Sequence, residues 1–496
     1  MAHDLTLASA IRLAGLPVEH LAGDAAITGV SDDSRDVSPG DLFVCMPGAR
    51  VDSHEFLSDA KAAGATAAIV RTHAGEHAAR EAGLPFVHIA DEGNRFVAAI
   101  GLLCRVIYGD PTLRLRMIGI TGTNGKTTTA WMVRDALASL GRRAAYLGTL
   151  GFKLPSGETR SLKNTTPFPV ALWRLLTEAE AAGAQDVVME SSSHALLQRR
   201  LAGVRYDVGC FTNLSQDHLD YHKTMESYAA AKKLLFTEYA MAGGKPFIAA
   251  VNETDPYGAA WLDELPTKAI TFGKPQSDIW MEVRAVRVDA IDAALNGEYP
   301  FSARVGGHFN VDNLAAAAGV LAALGYGPEA SARALAEASP APGRFEAVTG
   351  AGGVGVIVDY AHTPDALAKL LDSARQLRPS RMIVVFGCGG DRDRNKRPKM
   401  AAAVAARADL AIVTSDNPRS EDPEAIIADI VEGLPPDFPS EAIVDRREAV
   451  RRAVALAESG DLVVIAGKGH EDYQEIDGER FPMDDRVLAR EALEAR

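Results

Sequence analysis

The chain has 496 residues, a formal net charge of −14, and 47% hydrophobic and 24% charged residues. That length exceeds one ordinary core and predicts about two to four domains, while the acidic balance argues against general nucleic-acid binding, which needs a basic face. No apolar run approaches the roughly 20 residues that span a bilayer, Met1-Ala-His-Asp-Leu-Thr6 lacks a signal-peptide layout, and Cys45, Cys104, Cys210 and Cys388 form no Cys-x-x-Cys pair, so a cytoplasmic enzyme without membrane insertion, disulfides or a structural zinc site is expected.

In chain order, residues 1–110 mix short strand candidates at 41–46, 67–70 and 86–88 with Ala-rich helices, and Tyr108-Gly-Asp-Pro111 is a turn cluster suited to a linker. The next block, 111–339, opens on the most telling segment, Gly119-Ile-Thr-Gly-Thr-Asn-Gly-Lys-Thr-Thr-Thr129. An apolar run (Leu115, Met117, Ile118) precedes it and a helical pattern (Trp131, Met132, Val133, Leu137, Leu140) follows. Strand, Gly-rich turn, Lys-Thr and helix together form a phosphate cradle: backbone N–H groups and the helix N-terminus attract the anion, and the lysine reaches its terminal phosphates. Gly122, Thr123, Asn124, Gly125, Lys126, Thr127 and Thr128 are therefore the expected nucleotide-binding residues, with the Thr127 hydroxyl on Mg²⁺. Ile120 stands where the strict G-x-x-x-x-G-K-[ST] pattern has its first glycine.

Strand candidates at 186–190, 208–212 and 247–251 alternate with helices, which predicts a largely parallel sheet. Glu190 closes the first of them and is read either as a carboxylate that serves the Mg²⁺ of the nucleotide or as a cap of the next helix. Ser192 and His194 either hydrogen-bond a substrate or cap that helix themselves. His218 lies in a dense Asn/Asp/His cluster that is either a second metal ligand or structural. The stretch 228–236 reads as an ordinary amphipathic helix, and nothing in it singles out Lys232. Runs near 281–288 and 301–305 predict a small β element.

Ser339-Pro-Ala-Pro-Gly-Arg344 marks the second break. The block 340–496 repeats the α/β rhythm, with strands predicted at 354–359, 382–386, 410–414 and 462–466. Each runs into polar or glycine residues: Asp359-Tyr-Ala-His362, Gly387-Cys-Gly-Gly-Asp391, Ser415-Asp-Asn-Pro-Arg419 and Gly467-Lys-Gly-His-Glu471. Open α/β sheets bind ligands at the carboxyl ends of their strands, so these four ends predict one lined site. Asp416 and Arg419 offer both charges within one Pro-fixed turn, the polarity that an amino acid's zwitterionic end requires; the alternative is an Asx-type turn with an exposed arginine. The basic loop 391–399 is by default solvated.

Taken together these motifs resemble the Mur ligase family, ATP-dependent amide-forming enzymes of peptidoglycan precursor synthesis. The resemblance is carried by Gly122-Thr-Asn-Gly-Lys-Thr-Thr128, Gly307-His-Phe-Asn-Val-Asp-Asn313, Pro342-Gly-Arg344-Phe-Glu346 and Asp359-Tyr-Ala-His-Thr-Pro-Asp365. Further marks are Asp33-Ser-Arg35, Pro39-Gly-Asp-Leu-Phe43, Asn164-Thr-Thr-Pro167, Glu190-Ser-Ser-Ser-His-Ala-Leu196 and Asp416-Asn-Pro-Arg419. They resemble the family members that add the third peptide residue to UDP-N-acetylmuramoyl-L-alanyl-D-glutamate. Ser191 stands where many relatives have Val or Ala, and Ala195 where Gly is frequent.

The resemblance implies an α/β chain of three domains: a UDP-binding domain (1–110), a central P-loop ATPase domain with a parallel sheet (111–339), and a C-terminal Rossmann-like domain that binds the amino acid (340–496). It implies ATP as co-substrate, Mg²⁺ as cofactor, and a monomer. Lys126, His218 and Lys232 would be catalytic; Thr127, Glu190, His218 and a carbamylated Lys232 would hold metal; and Asn310, Arg344 and Asp359 would join the loop at the nucleotide. Asp32 and Ser34 would face the uridine end, and Asn164, Thr165, Thr166, Ser192, Gln198 and Arg200 the muramoyl dipeptide. Arg392, Asp416, Asn417, Pro418, Arg419, Gly467 and Glu471 match contacts to meso-2,6-diaminopimelate. L-Lysine lacks the second carboxylate, so a buried Arg419 would be left without a partner, at a cost of about 3–5 kcal/mol. The alternatives are an L-lysine-adding enzyme or another ligase of the superfamily, such as one adding a dipeptide or a folylpolyglutamate synthase.

Overall fold

The computed structural model describes residues 5–48, 51–350 and 353–496; the reading of the first four residues lies outside them. Three α/β layers follow one another along a mixed α/β chain, each built on a mainly parallel sheet or its extension. Backbone contacts group them into two compact units, Met1–Lys126 with Gly141–Thr271, and Thr127–Leu140 with Phe272–Arg496.

In the first unit a five-stranded sheet runs in the order His20–Ala22, Phe86–His88, Ala67–Val70, Asp41–Val44, Gly29–Ser31. Only the His20–Ala22 edge is antiparallel. An eight-stranded sheet follows, ordered Lys268–Phe272, Ile248–Asn252, Val208–Phe211, Arg116–Thr121, Asp186–Glu190, Ala144–Gly148, Gly151–Lys153, Thr159–Arg160. The strand that feeds the Gly-rich turn is central: Ile120 pairs with Glu190 on one side and with Cys210 on the other, both parallel. Parallel neighbours end on the same edge, so the segments after Thr121, Glu190 and Phe211 open side by side.

The second unit holds an antiparallel trio, Met281–Val286, Ile291–Leu295 and Tyr299–Ala303. Its middle strand was not expected from sequence. The six-stranded sheet beyond it is ordered Glu346–Val348, Gly355–Asp359, Leu462–Ala466, Met382–Phe386, Leu410–Val413, Ser440–Ala442, with only the first strand antiparallel. Both faces are covered, which is why its strands read as continuous apolar runs rather than alternating ones. Within Met382–Phe386, Ile383 and Val385 enter one core and Met382, Val384 and Phe386 the other. The four strands expected to end at the ligand are four adjacent strands of this sheet.

One helix departs from expectation. Met225–Lys233 is α-helical, but Leu235–Tyr239 continues as a π-helical turn rather than a regular helix. Such turns interrupt the i→i−4 ladder and occur often beside functional residues. Among the described residues no helix is long and apolar enough to cross a membrane, and all four cysteines are free and buried.

Candidate active site

The phosphate loop is shaped by two glycines with positive φ, Gly122 at 151° and Gly125 at 82°. A Cβ on Gly122 would stand 1.9 Å from Thr212 Oγ1, so only glycine lets the loop lie this close to the next strand end. Asn213 anchors the turn, its carbonyl accepting from Thr123 N (2.8 Å) and its Oδ1 from Asn124 N (3.0 Å). Lys126 opens the helix Lys126–Ser139 and folds back, donating to the carbonyls of Gly122 and Thr123, both at 2.9 Å.

Lys232 reaches the same loop from the helix Met225–Lys233. It is 1% exposed and donates to Gly122 O at 2.7 Å, with its Nζ 4.4 Å from the centre of the Tyr228 ring. Burial, helped by the charge of Lys126, holds its amine well below the usual lysine range. Its sequence gave no sign of this, because burial here is decided by the packing of the helix on the loop.

Glu190 is fully buried. Its Oε1 accepts from the Tyr146 hydroxyl (2.6 Å) and from Thr149 N (2.9 Å), and Oε2 from Thr149 Oγ1 (3.2 Å). It does not cap the following helix; Ser192 does, accepting from Ala195 N. Tyr146 and Thr149 are the partners that sequence reading missed. Ser191 meets the buried Tyr206 hydroxyl at 3.2 Å, so this departure from the family pattern has a local partner.

Around Glu190 the expected dipeptide-facing residues form one hydrogen-bonded group. Thr166 Oγ1 donates to Glu190 O (2.7 Å) and lies 3.2 Å from Ser192 Oγ. Arg200 donates to Thr166 O (3.0 Å) and twice to Gln198 Oε1, and stacks on Phe168. Thr165 Oγ1 meets Thr149 Oγ1 at 3.2 Å, and Asn164 is exposed. His218 is exposed and has φ 52° at the start of Leu219–His222. Its ring lies 4.9 Å from that of His194, which lies 5.3 Å from that of His222. Desolvation in the cluster, with the neighbouring charges of Lys126 and Lys232 at His218, lowers the pKa of all three below the usual imidazole range, that of His222 to about 4, which favours the neutral form with a free lone pair. In the five-stranded layer, Asp32 is exposed and Ser34 opens the turn Ser34–Asp36, which Asp33 caps.

In the second unit, Asp359 accepts from Phe345 N (2.7 Å) and Ala361 N (2.8 Å). Burial raises its pKa against the opposing charge of Arg344. Arg344 lies over the Tyr360 ring at 4.8 Å, and its Nε is buried without a hydrogen-bond partner among the described residues. Asn310 is fully buried, donates to Gly306 O (2.7 Å) and accepts from Asn313 Nδ2 (2.7 Å).

The strand-end cluster of the six-stranded sheet is a dense polar network. Lys468, fully buried, donates to Asn417 Oδ1 (2.9 Å) and Glu471 Oε2 (3.1 Å); Asn417 Nδ2 donates to the same Glu471 oxygen (2.9 Å). Burial works to raise the pKa of Asp416, but the charges of Lys468 and Arg446 outweigh it and lower it. A Cβ on Gly467, whose φ is 118°, would stand 2.7 Å from Asp416 Oδ2, which explains glycine there. Asp416 Oδ1 accepts from the adjacent Asn417 N (2.7 Å), and Pro418 is buried. Arg419 corrects one expectation: it is half-buried rather than buried, donates to Gly390 O (2.8 Å), and has Nε 3.6 Å from Glu475 Oε2. Its backbone pairs with the hairpin Tyr473–Ile476 and Glu479–Pro482, and that edge position leaves one side open to solvent. Arg392 is exposed and donates to Asp391 O. Lys468, Arg446 and Asp485 were not singled out from sequence. Lys468 sat inside a quoted motif; the Arg446–Asp485 pair spans 39 residues and left no local signal.

Three family profiles match the chain: "Mur ligase family, catalytic domain" over residues 26–97, "Mur ligase middle domain" over 120–321, and "Mur ligase, glutamate ligase domain" over 343–469. A protein of Gloeobacter violaceus named UDP-N-acetylmuramoyl-L-alanyl-D-glutamate--2,6-diaminopimelate ligase is 43% identical over 97% of this chain and 96% of its own. A solved structure of a ligase of that name has a TM-score of 0.66 and 34% identity, covering 95% of both chains. The MurF ligase of Thermotoga maritima, solved in complex with ADP, has a TM-score of 0.60 at 18% identity, covering 94% of this chain and 96% of its own, a likeness of fold.

Proposed function

Because the chain belongs to the Mur ligase family, we propose that it is the ATP-dependent ligase that joins meso-2,6-diaminopimelate to the D-Glu γ-carboxylate of UDP-N-acetylmuramoyl-L-alanyl-D-glutamate. The relationship over nearly the whole chain to a ligase of that name carries the reading. In this reading residues 1–110 bind the UDP moiety, 111–339 ATP and 340–496 the amino acid, and the chain acts as a monomer in the cytoplasm.

An amide does not form from a carboxylate and an amine in water without activation. The D-Glu γ-carboxylate attacks the γ-phosphate of ATP, giving an acyl phosphate and ADP. The amino group of diaminopimelate then attacks the acyl carbon, and inorganic phosphate leaves. Anion meets anion in the first step, so stabilising charge on the phosphates is the main task, and Lys126 on the phosphate loop performs it. Thr166, Ser192, Gln198 and Arg200 orient the dipeptide, and Asn310, Arg344 and Asp359 serve the nucleotide. Arg344 Nε, buried and without a hydrogen-bond partner among the described residues, is a donor available to it.

Mg²⁺ fits the oxygen donors of this loop region: the buried Glu190 carboxylate, the Thr127 hydroxyl and a carbamate on Lys232, with His218 completing the set. The carbamate reading is supported by the burial of Lys232, which lowers the pKa of its amine and so favours the neutral form that adds CO₂. Bound there, the ion would neutralise phosphate charge.

For the amino acid, the Asp416-Asn-Pro-Arg419 turn presents an anion and a guanidinium, with Arg392, Gly467 and Glu471 on the loops that follow other strands of the same sheet. Arg419 grips the distal carboxylate, which L-lysine lacks. Phosphate release with ATP, the UDP-muramoyl dipeptide and either diaminopimelate or L-lysine tests the proposal. Strong stimulation by the diacid alone is expected; equal use of lysine refutes the specificity, and stimulation by neither refutes the activity.

A further inference from the structure

A group of imidazoles and carboxylates in the five-stranded layer has no part in the site above. Glu76, in the helix His73–Glu81, is buried. Its Oε1 faces His88 Nδ1 at 2.7 Å and His73 Nδ1 at 3.4 Å. His88, buried at the end of strand Phe86–His88, also has Nδ1 3.3 Å from Glu19 Oε2. Glu19 directly precedes the edge strand and donates its backbone N–H to His88 O at 3.0 Å. One donor atom from each of His73, Glu76 and His88 lies within 4.8 Å of the others. The second oxygen of Glu76 is taken by His20 Nδ1 (3.1 Å) and Arg80 Nη2 (3.0 Å).

We propose that His73, Glu76 and His88, with Glu19 as fourth donor, form a binding site for Zn²⁺. Two imidazole nitrogens and two carboxylate oxygens are zinc's preferred borderline donors, and the pair of carboxylates balances the ion's charge. Donors at about 2.0–2.2 Å from a tetrahedral zinc stand roughly 3.4 Å apart. The two imidazole–Glu76 contacts are already at or inside that spacing. His73, whose side chain is 87% exposed, can rotate to close the rest. The outer oxygen of Glu76 keeps its bonds to His20 and Arg80, which fix the orientation of the carboxylate, as partners of a metal-bound group commonly do. The ion would replace the proton shared between His88 Nδ1 and the carboxylates, and would clip a surface helix to two strands. With two imidazoles among four donors the set suits Zn²⁺ better than Mg²⁺, which takes mainly oxygen ligands.

The test uses the full-length chain, stripped with a chelator, in excess Mg²⁺ and ADP to occupy the nucleotide site. Zn²⁺ binding is followed by titration calorimetry, ions are counted by native mass spectrometry, and melting temperature is read with and without Zn²⁺. His73→Ala and Glu19→Gln are the variants, because both side chains are exposed and neither should disturb folding. The wild type is expected to hold one more ion than His73→Ala and to melt higher with Zn²⁺, a rise His73→Ala lacks. Glu19→Gln is expected to bind at least about tenfold more weakly. Failure of the wild type to bind Zn²⁺ overturns the proposal. So does equal stoichiometry and affinity in wild type and His73→Ala, which would place the ion elsewhere, for instance at His194, His218 and His222.

Discussion

Lys126 and Lys232 donate to one acceptor, the carbonyl oxygen of Gly122, at 2.9 and 2.7 Å. Two ammonium groups cannot share a carbonyl in a buried setting at full charge without mutual cost. Burial of the deeper one, with the charge of Lys126 beside it, holds the Lys232 amine well below the usual lysine range.

In the proposed mechanism Lys126 stabilises the phosphates of ATP, and Lys126→Ala removes that charge from the loop. Turnover is expected to fall by more than about a hundredfold, the scale seen when a preorganised electrostatic donor is deleted. Steady-state phosphate release checks it; near-normal turnover would remove Lys126 from its role.

Lys232 makes a separate prediction. If its amine carries a carbamate, turnover falls in CO₂-depleted buffer and recovers on adding bicarbonate, while Lys232→Met is low in activity and indifferent to bicarbonate. Circular dichroism controls for folding. An unchanged rate after CO₂ depletion and bicarbonate addition would count against the modification.

Arg419→Ala is expected to raise the KM for diaminopimelate at least about tenfold while leaving that for ATP within twofold, since the proposed function makes it the partner of the distal carboxylate. The half-buried setting of Arg419 limits the loss, because water can solvate what remains. Parallel KM measurements for both substrates decide it; equal changes in both would contradict the assignment.

Arg446 and Asp485 are fully buried and paired through two bonds of 2.9 and 2.7 Å, and Arg446 also holds Ala466 O, just before Gly467. Arg446→Met alone strands a buried carboxylate and is expected to cost about 3–5 kcal/mol. The double variant Arg446→Met with Asp485→Leu should recover most of that loss. Urea denaturation of the three proteins measures both numbers.

His470 supplies a pH dependence. Burial, with the charges of Arg344 and Arg486, lowers its pKa from 6.5 to about 4. The unfolded chain then binds more protons than the folded one between those values, so this group's contribution to stability falls as pH drops from 6.5 towards 4 and is constant above 6.5. His470→Gln should flatten the stability profile across that window by about one proton. Denaturation midpoints on the acid side of neutrality, compared between the two proteins, test the sign.

Much of this was legible in the chain itself. The strand at 186–190, the strands at 382–386 and 462–466, and the Gly-rich turn were readable because apolar runs, glycines and polar strand ends are local features. The motifs were also enough to suggest the family. Adjacency was not readable: that strands ending at Glu190 and Phe211 flank the one ending at Thr121 is a matter of strand order.

Burial is the other thing the sequence left open. Lys232 and Lys233 are neighbours of one type, yet one is buried under the phosphate loop and the other pairs with Glu264 at the surface. Arg419 was expected to be buried and is not, because its backbone lies beside an edge hairpin. Local patterning determined which segments are strands, helices and turns, since side-chain periodicity and glycine conformations act within a few residues. Only the tertiary structure decided which lysine is buried, which arginine stays half-exposed and which carboxylates find imidazoles, since desolvation and Coulomb interactions depend on neighbours tens or hundreds of residues away in sequence.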